Sequence, residues 1–472
     1  MKKNLFVISN DLYIRNYIRT GVIDSINEKY DCKIVVSSDI FYKDEVEQLK
    51  NFVGYYYSDT KQDNRHFLLM NVALWRYRKK STTFGYRFMR GSGLRDLNFF
   101  SSLNGMKEFL SYIKRTLKRR SIPFVMILGH PLIYPFFLSV YKKRITQNKS
   151  LLELLNKEKP DIIFFPSSAY DPIGYDIIEA GDQNKIKTVF LIDNWDNLSS
   201  KTVFLKKPDF LTVWGKQSIE HAVKIHDFKE KQIIMIGTPR FDIYYKTVNN
   251  LPKSPINGKY VLFTGAALEM DETGALKELD KELEQNKDIY GDLKIIYRPH
   301  PWRQGKNDFN ESDFKHVELD IQMKDHYARQ KLQRTMGKKR KESINFQPNI
   351  DYYPAILGNA LFIVSPLTTM ALEALLMEKK VLLIVYDDGK NFTTPKNVFK
   401  YYEHFRGIEK LNGFAFCKNK SRLKQQFREL YVRMSRDGFK PVRSDLSYFL
   451  FNDNREYKQR LIDVIEYVIK SK

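Results

Sequence analysis

The chain is poor in cysteine: Cys32 and Cys417 are the only two in 472 residues. Two such distant thiols make neither a disulfide framework nor a thiolate metal site, and they fit a reducing compartment. Long apolar runs are missing as well. None approaches the roughly 18 residues that span a bilayer, and the longest, Leu132 to Tyr141, is interrupted by Pro135 and followed by Lys142-Lys143-Arg144. At the N-terminus, Met1-Lys2-Lys3 leads into Leu5-Phe6-Val7-Ile8, too short for the apolar region of a signal peptide. Acidic residues are scarce, 56 against 79 Lys plus Arg, so the formal charge is +23. Such a surface seeks polyanions, and an anionic membrane face satisfies it as well as nucleic acid does. No RNA or DNA module signature accompanies the charge, so no nucleic-acid partner is expected. Aromatics at 14% exclude a disordered basic tail and fit a globular protein.

What is present is a regular alternation of short apolar runs with helical patterns. Strands are predicted near Leu5–Ser9, Lys33–Ser37, Phe124–Leu128, Asp161–Phe165, Thr188–Ile192, Phe210–Val213 and Ile233–Ile236. The Pro- and Gly-bearing stretch Leu251 to Gly258 reads as a linker. A second series then runs through Tyr260–Thr264, Lys294–Tyr297, Leu361–Val364, Val381–Val385 and Phe414–Phe416. Runs that stay apolar without alternating imply strands covered on both faces, hence parallel sheets. The length suits more than one core, and the expected fold class is α/β: two doubly wound parallel-sheet domains facing a cleft, over 1–250 and 259–450, with a final helix over 451–472.

Two stretches carry the chemistry. Leu293 to Pro301 is an apolar strand ending in Arg298-Pro299-His300-Pro301, and Ile363 to Ala374 is a strand ending in Ser365-Pro366-Leu367-Thr368-Thr369 before a helix that contains Glu373. In an open α/β sheet, ligands bind beyond the carboxyl ends of the strands. A cation, an imidazole, and hydroxyls at a helix start suit a phosphorylated ligand. A third stretch, Ile192-Asp193-Asn194-Trp195-Asp196-Asn197-Leu198-Ser199-Ser200-Lys201, is followed by Ile236-Gly237-Thr238-Pro239-Arg240.

Together these stretches resemble GT-B glycosyltransferases of bacterial surface-polysaccharide synthesis, a group that includes Kdo transferases and CDP-glycerol glycerophosphotransferases. The resemblance covers roughly residues 155 to 405. It implies a GT-B fold, an inverting transfer of a sugar from a nucleotide-sugar donor to a glycan or lipid-linked acceptor, and a C-terminal helix that packs back on the first domain. It also implies that His300 meets the donor phosphate or leaving nucleotide, with Arg298 beside it or fixing the loop, and that Glu373 accepts from the ribose. Glu373 lies five residues after Thr368 and four after Thr369. It is thus out of register for a capping box, in which the acid follows the cap by three. Ser365, Thr368 and Thr369 fit a helix cap as well as a phosphate site, and Gly265 fits either a turn or a close backbone approach to phosphate.

The acceptor hydroxyl needs a general base. Asp11, Asp171, Asp193 and Asp196 all follow predicted strands. The Asp193/Asp196 pair is favoured, because Trp195 between them offers a stacking face for a sugar and the flanking asparagines give a polar lining. The competing reading is that Asn194 and Asn197 only shape a turn. Asp387-Asp388 lacks the Asp-x-Asp arrangement of metal-dependent relatives, so no metal and no cofactor is expected, the nucleotide sugar being substrate. A UDP-sugar 2-epimerase shares the two-domain plan, and a non-enzymatic basic module for RNA or lipid is the reading furthest from catalysis. The basic stretch Lys107 to Arg120 has helical apolar spacing, and the charge-rich segment Asp325 to Lys341 reads as an insertion. The expected location is cytoplasmic, peripheral at the inner face of the cell membrane.

Overall fold

The computed structural model describes residues 2–58, 60–92, 121–143, 147–167, 171–268, 270–301, 309–326, 347, 349–389, 391 and 393–471. The chain divides into two compact units. One comprises Met1–Pro239, Tyr401–His404 and Ser447–Lys472; the other comprises Arg240–Lys400 and Phe405–Leu446.

The first unit is built on β1 (Lys3–Ile8), β2 (Asp31–Ser37), β3 (Phe52–Tyr56), β4 (Ile162–Ser167), β5 (Lys187–Ile192), β6 (Phe210–Val213) and β7 (Ile233–Met235). They form one parallel sheet in the order β3-β2-β1-β4-β5-β6-β7. Successive residues of β1 serve opposite faces. Phe6 and Ile8 join one core, to which the final helix Tyr457–Lys470 contributes Leu461, Val464, Ile465 and Val468. Leu5 and Val7 join the other, with Ile163, Phe165 and Ile177. This double burial is why the strands read as continuous apolar runs. Between β3 and β4 the chain forms further helices, Thr60–Tyr77, Thr82–Ser92, Ser121–Leu128 and Tyr134–Lys143, around a separate core that includes Val72, Phe84 and Tyr134.

The second unit contains β8 (Tyr260–Thr264), β9 (Lys294–Arg298), β10 (Val317–Leu319), β11 (Ile363–Pro366), β12 (Val381–Ile384) and β13 (Phe414–Cys417). They too form a parallel sheet, in the order β10-β9-β8-β11-β12-β13. Each sheet reverses its strand order once, at β1/β4 and at β8/β11, which are the topological switch points where α/β sheets hold ligands.

Two features depart from the sequence expectations. The run Phe124–Leu128 is helical, part of Ser121–Leu128, with Phe124, Met126 and Ile127 exposed where a strand buried on both faces would hide them. Strands β3 and β10 were not anticipated; both lie at sheet edges, where burial on one side leaves a weaker apolar signal. The basic stretch 107–120 and residues 327–341 of the basic insertion lie outside the described residues. Among the described residues, no helix is long and apolar enough to cross a membrane.

Candidate functional site

In the first unit, polar side chains gather at the carboxyl ends of β1, β4 and β5. Asp171, half-buried beyond β4, accepts hydrogen bonds from Ser9 Oγ (3.1 Å), just past β1, and from Ser167 Oγ (3.3 Å), the last residue of β4. Its carboxyl is pushed up to about 6. Burial is the main cause, Asp193 adds to it, and the two serines and Lys201 oppose it. Asp193 is 2% exposed and accepts from Asn16 Nδ2 at 2.6 Å. Asn16 sits on a π-helical turn, Ile14–Ile18, with its carbonyl held by Arg15 Nε at 2.9 Å, which turns the amide donor toward Asp193. Single π-turns recur at functional sites.

Asp196 is oppositely perturbed. Burial works against its charge, but Lys201, His404 and Arg87 more than offset it, and the carboxyl lies below the usual range. Lys201 Nζ is 3.5 Å from Asp196 Oδ2, whereas Asp196 Oδ1 is buried without a hydrogen-bond partner among the described residues. Trp195 is not a stacking platform. It is buried, in edge contact with the rings of His404 at 5.1 Å and Phe449 at 5.8 Å, so no face is offered to a sugar. Asn194 does shape the turn, its Oδ1 accepting from Trp195 N at 3.0 Å. The Asn197 carboxamide is buried with neither end hydrogen-bonded among the described residues. Asp11 is taken up by backbone, its Oδ1 accepting from Phe41 N at 2.9 Å and Tyr42 N at 3.2 Å. Of the four candidate carboxylates, Asp171 thus combines partial exposure with a pKa suited to proton transfer near neutrality. The contributions of Ser9, Asn16 and Lys201 escaped sequence reasoning. The missing information was strand order, since only the β1/β4 adjacency brings Ser9 beside Ser167.

In the second unit, Gly265 follows β8 and Ser365 lies within the adjacent β11. Ser365 is buried and shares a 2.6 Å hydrogen bond with Thr264. Gly265 N donates to Arg298 O at 2.8 Å. A side-chain carbon at Gly265 would come within 2.9 Å of both His300 N and Pro299 Cα, so this glycine permits the 299–300 backbone to pass close by. His300 is half-buried at the end of that segment. Thr368 caps the helix Thr369–Leu376, its hydroxyl accepting from Met370 N at 2.9 Å, while Thr369 is partly exposed in the first turn.

The two other candidates in this unit are committed internally. Arg298 is buried and donates to Asp320 Oδ1 at 2.9 Å and Gln322 Oε1 at 2.7 Å, with the Tyr353 ring 4.7 Å away. Glu373 accepts from Arg240 at 3.0 Å and from the Tyr244 hydroxyl. Its offset from the capping register leaves it for this pair. Asp388 likewise serves the backbone, accepting from Asp271 N and Asn391 N at 2.9 and 3.0 Å. Among the described residues, no three His, Cys, Asp or Glu side chains form a metal-holding group.

No protein-family model matches this chain, and no curated protein sequence does. Solved structures resemble it along its whole length. The UDP-GlcNAc 2-epimerase from Methanocaldococcus jannaschii matches with a TM-score of 0.50 and 11% identity, covering 98% of this chain and 99% of that one. An S. aureus MnaA–UDP co-structure matches at TM-score 0.49 and 13% identity, covering 99% and 97%. A glycosyltransferase from Rickettsia africae matches at TM-score 0.45 and 11% identity, covering 100% of both. At such identity the likeness speaks of the fold alone. With the two parallel sheets, it shows the α/β GT-B architecture.

Proposed function

We propose that this chain is a GT-B glycosyltransferase that moves a sugar from a nucleotide-sugar donor to a glycan or lipid-linked acceptor at an anionic membrane surface. The observation that carries the reading is Asp171. It is the carboxyl of a partly exposed residue at a switch point, set between two serine hydroxyls and pushed up to about 6. Such a group takes a proton from an acceptor hydroxyl as the oxygen attacks the anomeric carbon of the donor. The bond from that carbon to the nucleotide phosphate breaks, and its electrons leave with the nucleotide. Burial keeps the Asp171 carboxyl basic, with repulsion from Asp193, held by Asn16, adding to it, and the two serines and Lys201 limit how far it rises. Donor binding is assigned to the second unit, where Gly265, Ser365, Thr368 and Thr369 surround the β8/β11 switch point and His300 stabilises the departing charge. The membrane location draws on the +23 charge.

The test is incubation with CMP-, CDP-, UDP- and GDP-linked donors, followed by product NMR. Slow release of nucleotide from one donor, lost in Asp171→Asn, is the expected result. A product that keeps its nucleotide but is inverted at C2 would assign a UDP-sugar 2-epimerase instead. Transfer of glycerol phosphate from CDP-glycerol would assign a glycerophosphotransferase.

A further inference from the structure

The helices Ser121–Leu128 and Tyr134–Lys143 form a short hairpin whose two sides differ sharply. Inward, Val125, Tyr134 and Tyr141 are buried in the helical core beside Val72 and Phe84. The turn passes so close to the helix Thr60–Tyr77 that a side-chain carbon at Gly129 would lie 2.6 Å from Trp75 and 3.3 Å from the Val72 carbonyl. The hairpin is therefore fixed in place. Outward, Phe124, Met126, Ile127, Leu132, Ile133 and Phe136 are exposed, Leu132 by 84% and Phe136 by 72%. Among the described residues, these are six of the twelve exposed large apolar side chains. Scattered exposed apolar residues need no explanation, but half of them on one fixed hairpin does.

We infer that this hairpin is a membrane wedge, inserting its apolar tip shallowly into an anionic lipid bilayer. Charge selects this occupant. Lys142 and Lys143 close the second helix, where they would meet lipid phosphates as the apolar side chains enter the interface. A second copy of the chain is disfavoured, since two bodies of +23 repel. Neither helix is long enough to cross, at 8 and 10 residues. The inference deepens the membrane-surface reading given above and rests on it.

The test is co-sedimentation of the full chain with vesicles of phosphatidylcholine alone or mixed with phosphatidylglycerol. A triple variant, Phe124→Ser with Leu132→Ser and Phe136→Ser, changes only exposed positions, so its thermal unfolding should match the parent. Its partitioning onto the anionic vesicles should fall at least about a hundred-fold, and that of Lys142→Glu with Lys143→Glu should fall and lose much of its salt dependence. In Leu132→Trp, emission should shift to the blue and be quenched by brominated lipid. Undiminished binding of the triple variant would overturn the wedge while leaving the membrane reading intact. Failure of the parent to bind anionic vesicles would remove both. A parent dimer that the triple variant dissociates, without vesicle binding, would give the face to a second copy.

Discussion

Replacing Asp171 with asparagine keeps the shape of the side chain and removes its charge, so one variant tests the base and its electrostatics together. The native carboxyl is pushed from 3.8 up to about 6, chiefly by burial, with Asp193 adding and the Ser9 and Ser167 hydroxyls and Lys201 opposing. The folded state thus holds this proton more tightly than the unfolded chain does. The stability so gained is complete below about pH 3.8 and is lost as the pH rises through about 6. The gap between those values corresponds to about 3 kcal/mol. Well above pH 6, Asp171→Asn should be more stable than the parent by up to that amount, and the advantage should vanish well below it. Urea unfolding followed by tryptophan fluorescence suits the measurement, because Trp75, Trp195 and Trp214 all belong to the first unit. The same variant should lose about 10²–10⁴ in rate, and the parent's kcat/KM should rise through a pKa near 6. A variant no more stable than the parent at alkaline pH, or a parental pH profile flat through this range, would refute the assignment.

Three further outcomes are expected. His300→Ala should lower activity about 10²–10³-fold while thermal unfolding stays within about 0.5 kcal/mol of the parent; activity within a few-fold of the parent would rule out the leaving-group role. Glu373→Ala removes the carboxylate that accepts from Arg240 and from the buried Tyr244 hydroxyl, so it should destabilise the second unit by about 3–5 kcal/mol, read by calorimetry, and a loss below about 1 kcal/mol would mean the pair is not structural. Gly265→Ala places a methyl against Pro299 and His300 backbone atoms at 2.9 Å and should cost about 1–3 kcal/mol; an unchanged urea midpoint would show that the segment moves freely.

The central strands were legible in the sequence because burial on both faces leaves an unmistakable run, as in Leu5-Phe6-Val7-Ile8 and Ile162-Ile163-Phe164-Phe165. The edge strands Phe52–Tyr56 and Val317–Leu319 carry no such signal. The run Phe124–Leu128 looked like a strand because its composition is uniformly apolar, but its outer side chains face solvent. Composition alone does not distinguish residues buried in a core from residues destined for lipid. At the site, the sequence marked the strand ends and missed the traffic among them. Asp171 stood as one carboxylate of four until the pairing of β1 with β4 set Ser9 and Ser167 around it. Trp195 had the composition of a sugar platform, but its burial against His404 and Phe449 makes it part of the scaffold.

The two switch points differ in electrostatic character. At β1/β4 burial and repulsion from Asp193 raise the Asp171 carboxyl, while Lys201, His404 and Arg87 hold Asp196 charged, so one carboxyl there is set to take up a proton. At β8/β11 the conspicuous cations are already neutralised, Arg298 by Asp320 and Arg240 by Glu373. An anion bound there would draw on hydroxyls, on the imidazole of His300 and on the backbone N–H groups opening the helix Thr369–Leu376, not on the free charge of either arginine. The net charge of +23 therefore acts mainly over the surface, where it steers association and is screened by salt. Under the proposed donor site, recognition would depend instead on short, directional hydrogen bonds that salt weakens much less.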